Sequence, residues 1–146
     1  MSDTHVAALE HSIQQTNIWL KTLAEEGELG DRQHAYNALR AVLHVLRDRL
    51  TTEQAVHLGA QLPIVVRGIY FEGWRIAERP VRQRNPEDFA AQVEGHLPPQ
   101  FPLDAATVTK IVFYLLSREL DPGETSKIIC ALPIPLRGLW PAQFRH

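Results

Sequence analysis

One segment occurs twice in this chain, and the repetition constrains the fold more than any other feature of the sequence. The segment Leu62–Trp74 reads LPIVVRGIYFEGW, and a shorter version, LPIPLRGLW, occupies Leu132–Trp140. Adding 70 to a position in the first copy gives its counterpart in the second, as for Arg67 and Arg137. Self-similarity at a fixed spacing is typical of chains built from repeated units, so we expect two related halves.

The identities fall where a helical repeat needs them. An ungapped alignment of 41–70 with 111–140 contains eight identities, and its apolar matches share one face of a helix. We therefore predict an all-α fold: a single compact helical domain, 1–146, of about eight helices in two pseudo-symmetric four-helix repeats. Repeat one spans about 4–74, a basic linker 75–85, and repeat two about 86–140.

Helix start signals divide each half into short segments. Thr51 and Gln54 have the spacing of a capping box, and Asp121 and Glu124 share that spacing. Further capping side chains precede apolar runs at Asp31, Asn85 and Asp104. Residues 111–116 could also form a buried strand, but their counterparts, 41–46, follow a helical period, and we predict helix for both.

The first and fourth helices make specific predictions about packing. In the first helix the spacing of apolar residues predicts one inner face: Val6, Leu9, Ile13, Leu20 and Leu23. The fourth, Pro63–Trp74, is apolar on all sides, which is typical of a central helix. Gly68 recurs as Gly138, and we interpret it as a point of close backbone approach or as room for a small ligand.

Composition excludes several classes of protein. The formal net charge of −2 gives no general reason to expect binding to nucleic acid or to an anionic membrane. The N-terminus lacks a signal-peptide pattern, and no apolar run is long enough to span a membrane. Cys130 is the only cysteine, and we interpret it as a buried small hydrophobe, with a reactive thiol as the alternative. We expect a soluble cytoplasmic protein.

Arg67 and Arg137 are the candidate ligand-binding residues. Each lies among apolar residues early in a short helix, where a guanidinium group needs a carboxylate, helix-end carbonyls or an anion. A salt bridge or a carbonyl cap would make both residues structural. An anion or carboxylate site shared by the two halves would make them functional.

Aromatic residues near the ends of the two repeated helices suggest an interaction surface. The candidates are Tyr70, Phe71, Trp74 and Trp140. Tyrosine and tryptophan are enriched where proteins meet, although these side chains can equally close the core.

The sequence contains none of the motifs that would assign catalysis. It has no GxSxG, GxxxxGK[ST] or GxGxxG, and its seven histidines show no HExxH spacing. His44, in an apolar helix, is interpreted as a satisfied histidine at the edge of the core. We therefore predict no catalytic residues, no metal and no cofactor.

Two stretches resemble a known family. The segment 39–50, LRAVLHVLRDRL, and the segment QLP followed by RGIYFEGW at 61–74 are similar to the bacterial family known as domain of unknown function 2267. The resemblance covers most of the chain and implies a small all-helical protein. It implies no activity, because that family has no established biochemistry to transfer.

These observations favour a non-enzymatic interaction or regulatory module with an unidentified protein partner. The alternative is a small-molecule or anion-binding protein, or an enzyme, with its site at the interface of the two repeats. Nucleic-acid binding through the basic residues 75–84 ranks third, and a homo-oligomer is left open.

Overall fold

The most buried helix of the chain follows from the periodic apolar sequence after Asp31. In the computed structural model, which describes residues 6–76 and 85–144, α2 spans Arg32–Arg47. The Asp31 carboxylate accepts a hydrogen bond from the His34 main-chain N–H at 2.7 Å and so caps the helix. Every residue from 41 to 47 is buried, which places the second half of α2 at the centre of the molecule.

The described residues form eight α-helices and one 3-10 helix, with no strand among them. The bounds are α1 Ala7–Glu25, α2 Arg32–Arg47, α3 Thr52–Ala60, α4 Ile64–Phe71, α5 Pro86–His96, α6 Ala105–Glu119, α7 Pro122–Ala131, α8 Ile134–Arg137 and the 3-10 helix Ala142–Phe144. The predicted all-α fold is therefore confirmed. Of the described helices, none combines the length and hydrophobicity that a membrane span requires.

Local capping chemistry sets most helix starts where the sequence predicts them. The Thr51–Gln54 capping box is complete, because each side chain accepts a hydrogen bond from the other residue's main-chain N–H. Asn85 and Asp104 cap α5 and α6. The predicted box at Asp121 is wrong in detail: the carboxylate accepts from the Gly123 N–H two residues on.

α2 and α6 contact each other, and each also packs against α1 and α5. One continuous hydrophobic core results, and it draws residues from both halves of the chain. Within it the Phe113 ring meets the Phe89 ring edge-on at 5.6 Å and stacks on the Trp140 indole at 4.0 Å, both measured between ring centroids. Offset and edge-on aromatic pairs stabilise a core beyond the apolar area that they bury.

The inner face of α1 differs from the prediction. Val6, Leu9 and Ile13 are half-exposed, and the buried residues in the first part of the helix are Ser12 and Thr16. The Ser12 hydroxyl oxygen accepts a hydrogen bond from the Val65 main-chain N–H at 3.0 Å, at the start of α4. The face of α1 that carries Ser12 and Thr16 therefore meets the rest of the molecule, and only Leu23 of the predicted inner face is fully buried.

The order of elements is the same in both halves, with two longer helices followed by two short ones. α3 contacts α4 as α7 contacts α8, and α3 also contacts α7 across the halves. The exact pseudo-symmetric relation and the single-domain assignment stay predictions. Most of the predicted linker, residues 77–84, lies outside the described residues.

Tyr70 provides a test of the packing between α3 and α4. Its side chain is fully buried, and its hydroxyl donates a hydrogen bond to the Ala55 carbonyl oxygen at 2.7 Å. Tyr70→Phe removes this buried hydrogen bond, so we expect the free energy of unfolding to fall by about 0.5–1.5 kcal/mol. Urea denaturation measures the change. Tyr114→Phe is the control, because Tyr114 is half-exposed; equal losses in the two variants would contradict the prediction.

Candidate functional site

Arg67 closes the C-terminal end of α3. Its Nε donates to the Gly59 carbonyl at 2.9 Å, and its Nη2 donates to the carbonyls of Leu62 at 3.0 Å and Ala60 at 3.3 Å. The last carbonyls of a helix have no partner within the helix, and a cation there also interacts favourably with the helix dipole. The half-buried guanidinium group therefore serves as a cap.

Arg137 does the same for α7. Its Nε donates to the Leu132 carbonyl and its Nη2 to the Cys130 carbonyl, both at 3.1 Å. Every hydrogen bond that the structure gives these two guanidinium groups goes to a main-chain carbonyl of the same half. The contacts favour the carbonyl-cap interpretation of Arg67 and Arg137 over a shared anion site.

The predicted aromatic surface is wrong for two of its four members. Tyr70 and Trp140 are buried, with exposed fractions of 0% and 1%, because one donates to a buried carbonyl and the other stacks on Phe113. Phe71 and Trp74 are half-buried and lie against each other, with ring centroids 5.4 Å apart. Only this pair could take part in an exposed aromatic surface.

Two predictions about small residues are also corrected. Cys130 is exposed and is not a buried hydrophobe. A Cβ built on Gly68 would meet nothing within 4 Å, so close backbone approach does not explain this glycine. The close approach lies at Gly59, where a Cβ would collide with the Phe71 ring. The helix periodicity does not reveal this contact, because it depends on how α3 and α4 cross.

α2 also caps the end of α4, through side chains that the sequence analysis did not single out for this role. Arg47 is buried and donates from Nη1 to the carbonyls of Tyr70 at 2.9 Å and Glu72 at 3.1 Å. His44 Nε2 lies 2.7 Å from the Ile69 carbonyl, which assigns the proton to Nε2. The sequence signal for these caps was the presence of Arg47 and His44 in the strongly apolar part of α2.

A groove between α3 and α7 is the best candidate for a functional site. It has a volume of about 620 Å³, and neither Arg67 nor Arg137 lines it. Its apolar lining comes from both halves of the chain: Leu50, Leu58, Ile128 and Ala131. Exposed Cys130 lies on its α7 wall.

Ionisable side chains bridge the groove from one half to the other. The imidazole Nε2 of His57 on α3 lies 2.7 Å from Oε2 of Glu124 on α7. Nζ of Lys127, one turn further along α7, lies 3.6 Å from the other carboxylate oxygen. The repeat could have indicated this site in the sequence. The offset of 70 pairs Gln54 with Glu124 and His57 with Lys127, so polar side chains occur at matching positions of α3 and α7. Across residues 6–76 and 85–144, His, Cys, Asp and Glu form no group of three or more that could hold a metal ion.

The two arginine caps should matter for stability. Arg67→Met and Arg137→Met each remove charge-assisted hydrogen bonds to helix-end carbonyls, so each should lower the free energy of unfolding by about 1–3 kcal/mol. Chemical denaturation followed by circular dichroism measures this. Arg32→Met, at an exposed position at the start of α2, is the control and should change stability by about 0.5 kcal/mol or less. Unchanged stability in both Arg67→Met and Arg137→Met would contradict a structural role for the two arginines.

His44 should make stability depend on pH. Burial lowers its pKa below the ordinary value of 6.5, and the positive charge of Arg47 acts in the same direction, against the hydrogen bond to Ile69. A lowered folded-state pKa stabilises the fold above pH 6.5, and that contribution is lost as pH falls through the folded-state pKa. The melting-temperature gap between wild type and His44→Gln should therefore narrow from pH 7.5 to pH 5. His11→Gln, at an exposed position, is the control; a constant gap for His44→Gln would contradict the assignment.

Comparison with known proteins supports the family resemblance. The family described as "Uncharacterized conserved protein (DUF2267)" matches residues 16–139, which include α2 to α8 and most of α1. A search of curated proteins finds no match to the chain. The matched segment contains the first copy of the repeat, the second copy except its last residue, Trp140, and all residues of the groove. The chain belongs to the DUF2267 family.

Proposed function

We propose that this protein is a non-enzymatic binding module and that the groove between α3 and α7 is its site for a small amphipathic ligand. The observation that carries the proposal is the groove itself, which joins one helix from each half and has an apolar floor beneath ionisable groups. The proposal favours the interface site over the aromatic surface as the place where the protein binds.

The size and lining of the groove suit a small molecule. Ligand sites in proteins have volumes of about 300–1,000 Å³ and combine an apolar surface with a few convergent polar groups. The groove, at about 620 Å³, falls within that range. Leu58 and Ile128 supply apolar contact, while His57 and Lys127 supply polar groups from opposite walls.

The groove walls are held in place before any ligand arrives. Arg67 bonds the C-terminal carbonyls of α3, and Arg137 bonds those of α7. The His57–Glu124 contact then joins the two helices to each other. A preformed site loses less conformational entropy on binding, which supports affinity for a small ligand.

Binding without catalysis is supported by where the perturbed groups lie. Burial shifts the pKa values of His44, Arg49 and Tyr70, and none of the three lines the groove. Active sites are typically where such shifts concentrate. In the groove, the Glu124 carboxylate contacts the His57 imidazole and lies near the Lys127 ammonium group.

A protein partner is the second candidate, favoured by the half-exposed stripe on α1 formed by Val6, Leu9 and Ile13. These residues precede the segment matched to the family, which starts at residue 16. Self-association through the stripe should be lost in Ile13→Asp, as measured by sedimentation velocity. A wild-type monomer at high concentration would exclude a homo-oligomer formed there.

The groove can be tested by filling it. N-phenyl-1-naphthylamine, a neutral amphipathic dye, should gain fluorescence when it binds wild type, and Cys130→Trp should abolish the gain by occupying the groove. Ala60→Trp is the matched control, because residue 60 is the counterpart of residue 130 at the offset of 70, is exposed and does not line the groove. The dye is excited in its own absorption band, and circular dichroism verifies that both variants fold. Equal dye binding by the two folded variants would overturn the proposal.

A further inference from the structure

The polar groups that line the α3–α7 groove differ in whether their hydrogen-bond donors and acceptors already have partners within the protein. They therefore differ in how available they are to a ligand. We infer, resting on the proposed function, that the groove selects an amphipathic molecule with a carboxylate head group, which Lys127 and the first turn of α3 hold. The inference follows from which donors and acceptors already have partners.

Both oxygens of the Glu124 carboxylate already have partners within the protein. His57 Nε2 lies 2.7 Å from one of its oxygens, and Lys127 Nζ lies 3.6 Å from the other. The Glu124 side chain is only 18% exposed, so a cationic head group would have to displace existing partners to reach it. Glu124 therefore positions the side chains of His57 and Lys127.

The N–H donors of the Lys127 ammonium group remain available to a ligand. Its distance to Glu124 exceeds that of a hydrogen bond, and its side chain is 71% exposed. An ammonium group has three N–H donors and no acceptor, so it can bind a carboxylate as a point charge. Since Lys127 lines the groove, those donors are within reach of a bound head group.

The capping box on α3 orients further donors. The Gln54 Oε1 accepts from the Thr51 main-chain N–H at 3.0 Å, which leaves the amide NH₂ of Gln54 to donate elsewhere. The Thr51 hydroxyl oxygen accepts from the Gln54 N–H at 3.2 Å, so its hydrogen is also available. Both side chains line the groove, and the N-terminal end of α3 adds a partial positive charge.

Glu53 is the other carboxylate that lines the groove, and its negative charge opposes the binding of an anionic head group. Glu53 is exposed, so water and salt screen its charge more effectively than they screen groups on the groove floor. Lys127, Gln54 and Thr51 together supply donors to a carboxylate, whereas a cation would find only this screened partner. Hence the balance of groups favours the anionic head.

Three probes with the same eight-carbon tail separate head-group chemistry from apolar binding: octanoate, octylamine and octanol. Each displaces N-phenyl-1-naphthylamine from the groove, and each protects the Cys130 thiol from iodoacetamide, a neutral reagent. We expect octanoate to displace the dye and to protect Cys130 at lower concentrations than octylamine or octanol. Lys127→Met should weaken the binding of octanoate by roughly fivefold, the upper end of what one solvent-exposed ion pair contributes, and leave the binding of octanol unchanged. Lys21→Met, at an exposed position on α1, is the control and should change neither.

The outcomes separate this inference from the proposed function. Equal potency of the three probes, or a preference for octylamine, would overturn the carboxylate assignment and leave the groove as a binding site. A Lys127→Met effect equal for octanoate and octanol would overturn it as well. Absence of both dye binding and Cys130 protection in wild type would overturn the proposed function and the inference together.

Discussion

The structure depends on hydrogen bonds from side chains to main-chain carbonyls at the ends of its short helices. Helices of eight to ten residues are marginal alone, because the last carbonyls of each have no partner within the helix. Arg67 bonds the end of α3, Arg137 the end of α7, and Arg47 with His44 the end of α4. Each cap also fixes the angle at which the next segment leaves.

The two walls of the groove are short helices with capped C-terminal ends. α3 and α7 are short, their ends are bound to arginine, and the His57–Glu124 contact holds the two helices at a fixed separation. Leu58 of α3 and Ile128 of α7 line the groove and also belong to the hydrophobic core, so the floor of the groove is continuous with that core. The arginines thus shape the candidate site although neither lines it.

Local features of the sequence predict local structure well here. The Thr51–Gln54 box and the Asn85 cap place helix starts correctly because their partners lie within three residues. Burial was harder to predict, since it depends on neighbours distant in sequence. Val6 and Leu9 look like core residues, yet they are half-exposed, and the face of α1 with Ser12 contacts α4 instead. Tyr70 and Trp140 look equally suited to a surface and to the core, and their partners settle the choice. The groove depends on how α3 meets α7, which no single helical pattern contains.

Gly59 has a consequence for how the two halves can diverge. In the first half a glycine leaves space that the Phe71 ring fills. At the offset of 70 the second half has a fully buried Ile129 and, instead of the ring, Pro141. The second half thus has a large buried side chain at the position where the first half has a glycine. Gly59→Ile would bring a side chain into the Phe71 ring, whereas Ile129→Gly would leave a cavity in the core, so the residues at these two positions cannot be exchanged. The two segments that the offset of 70 relates therefore pack by different means at this position, despite their similar sequences.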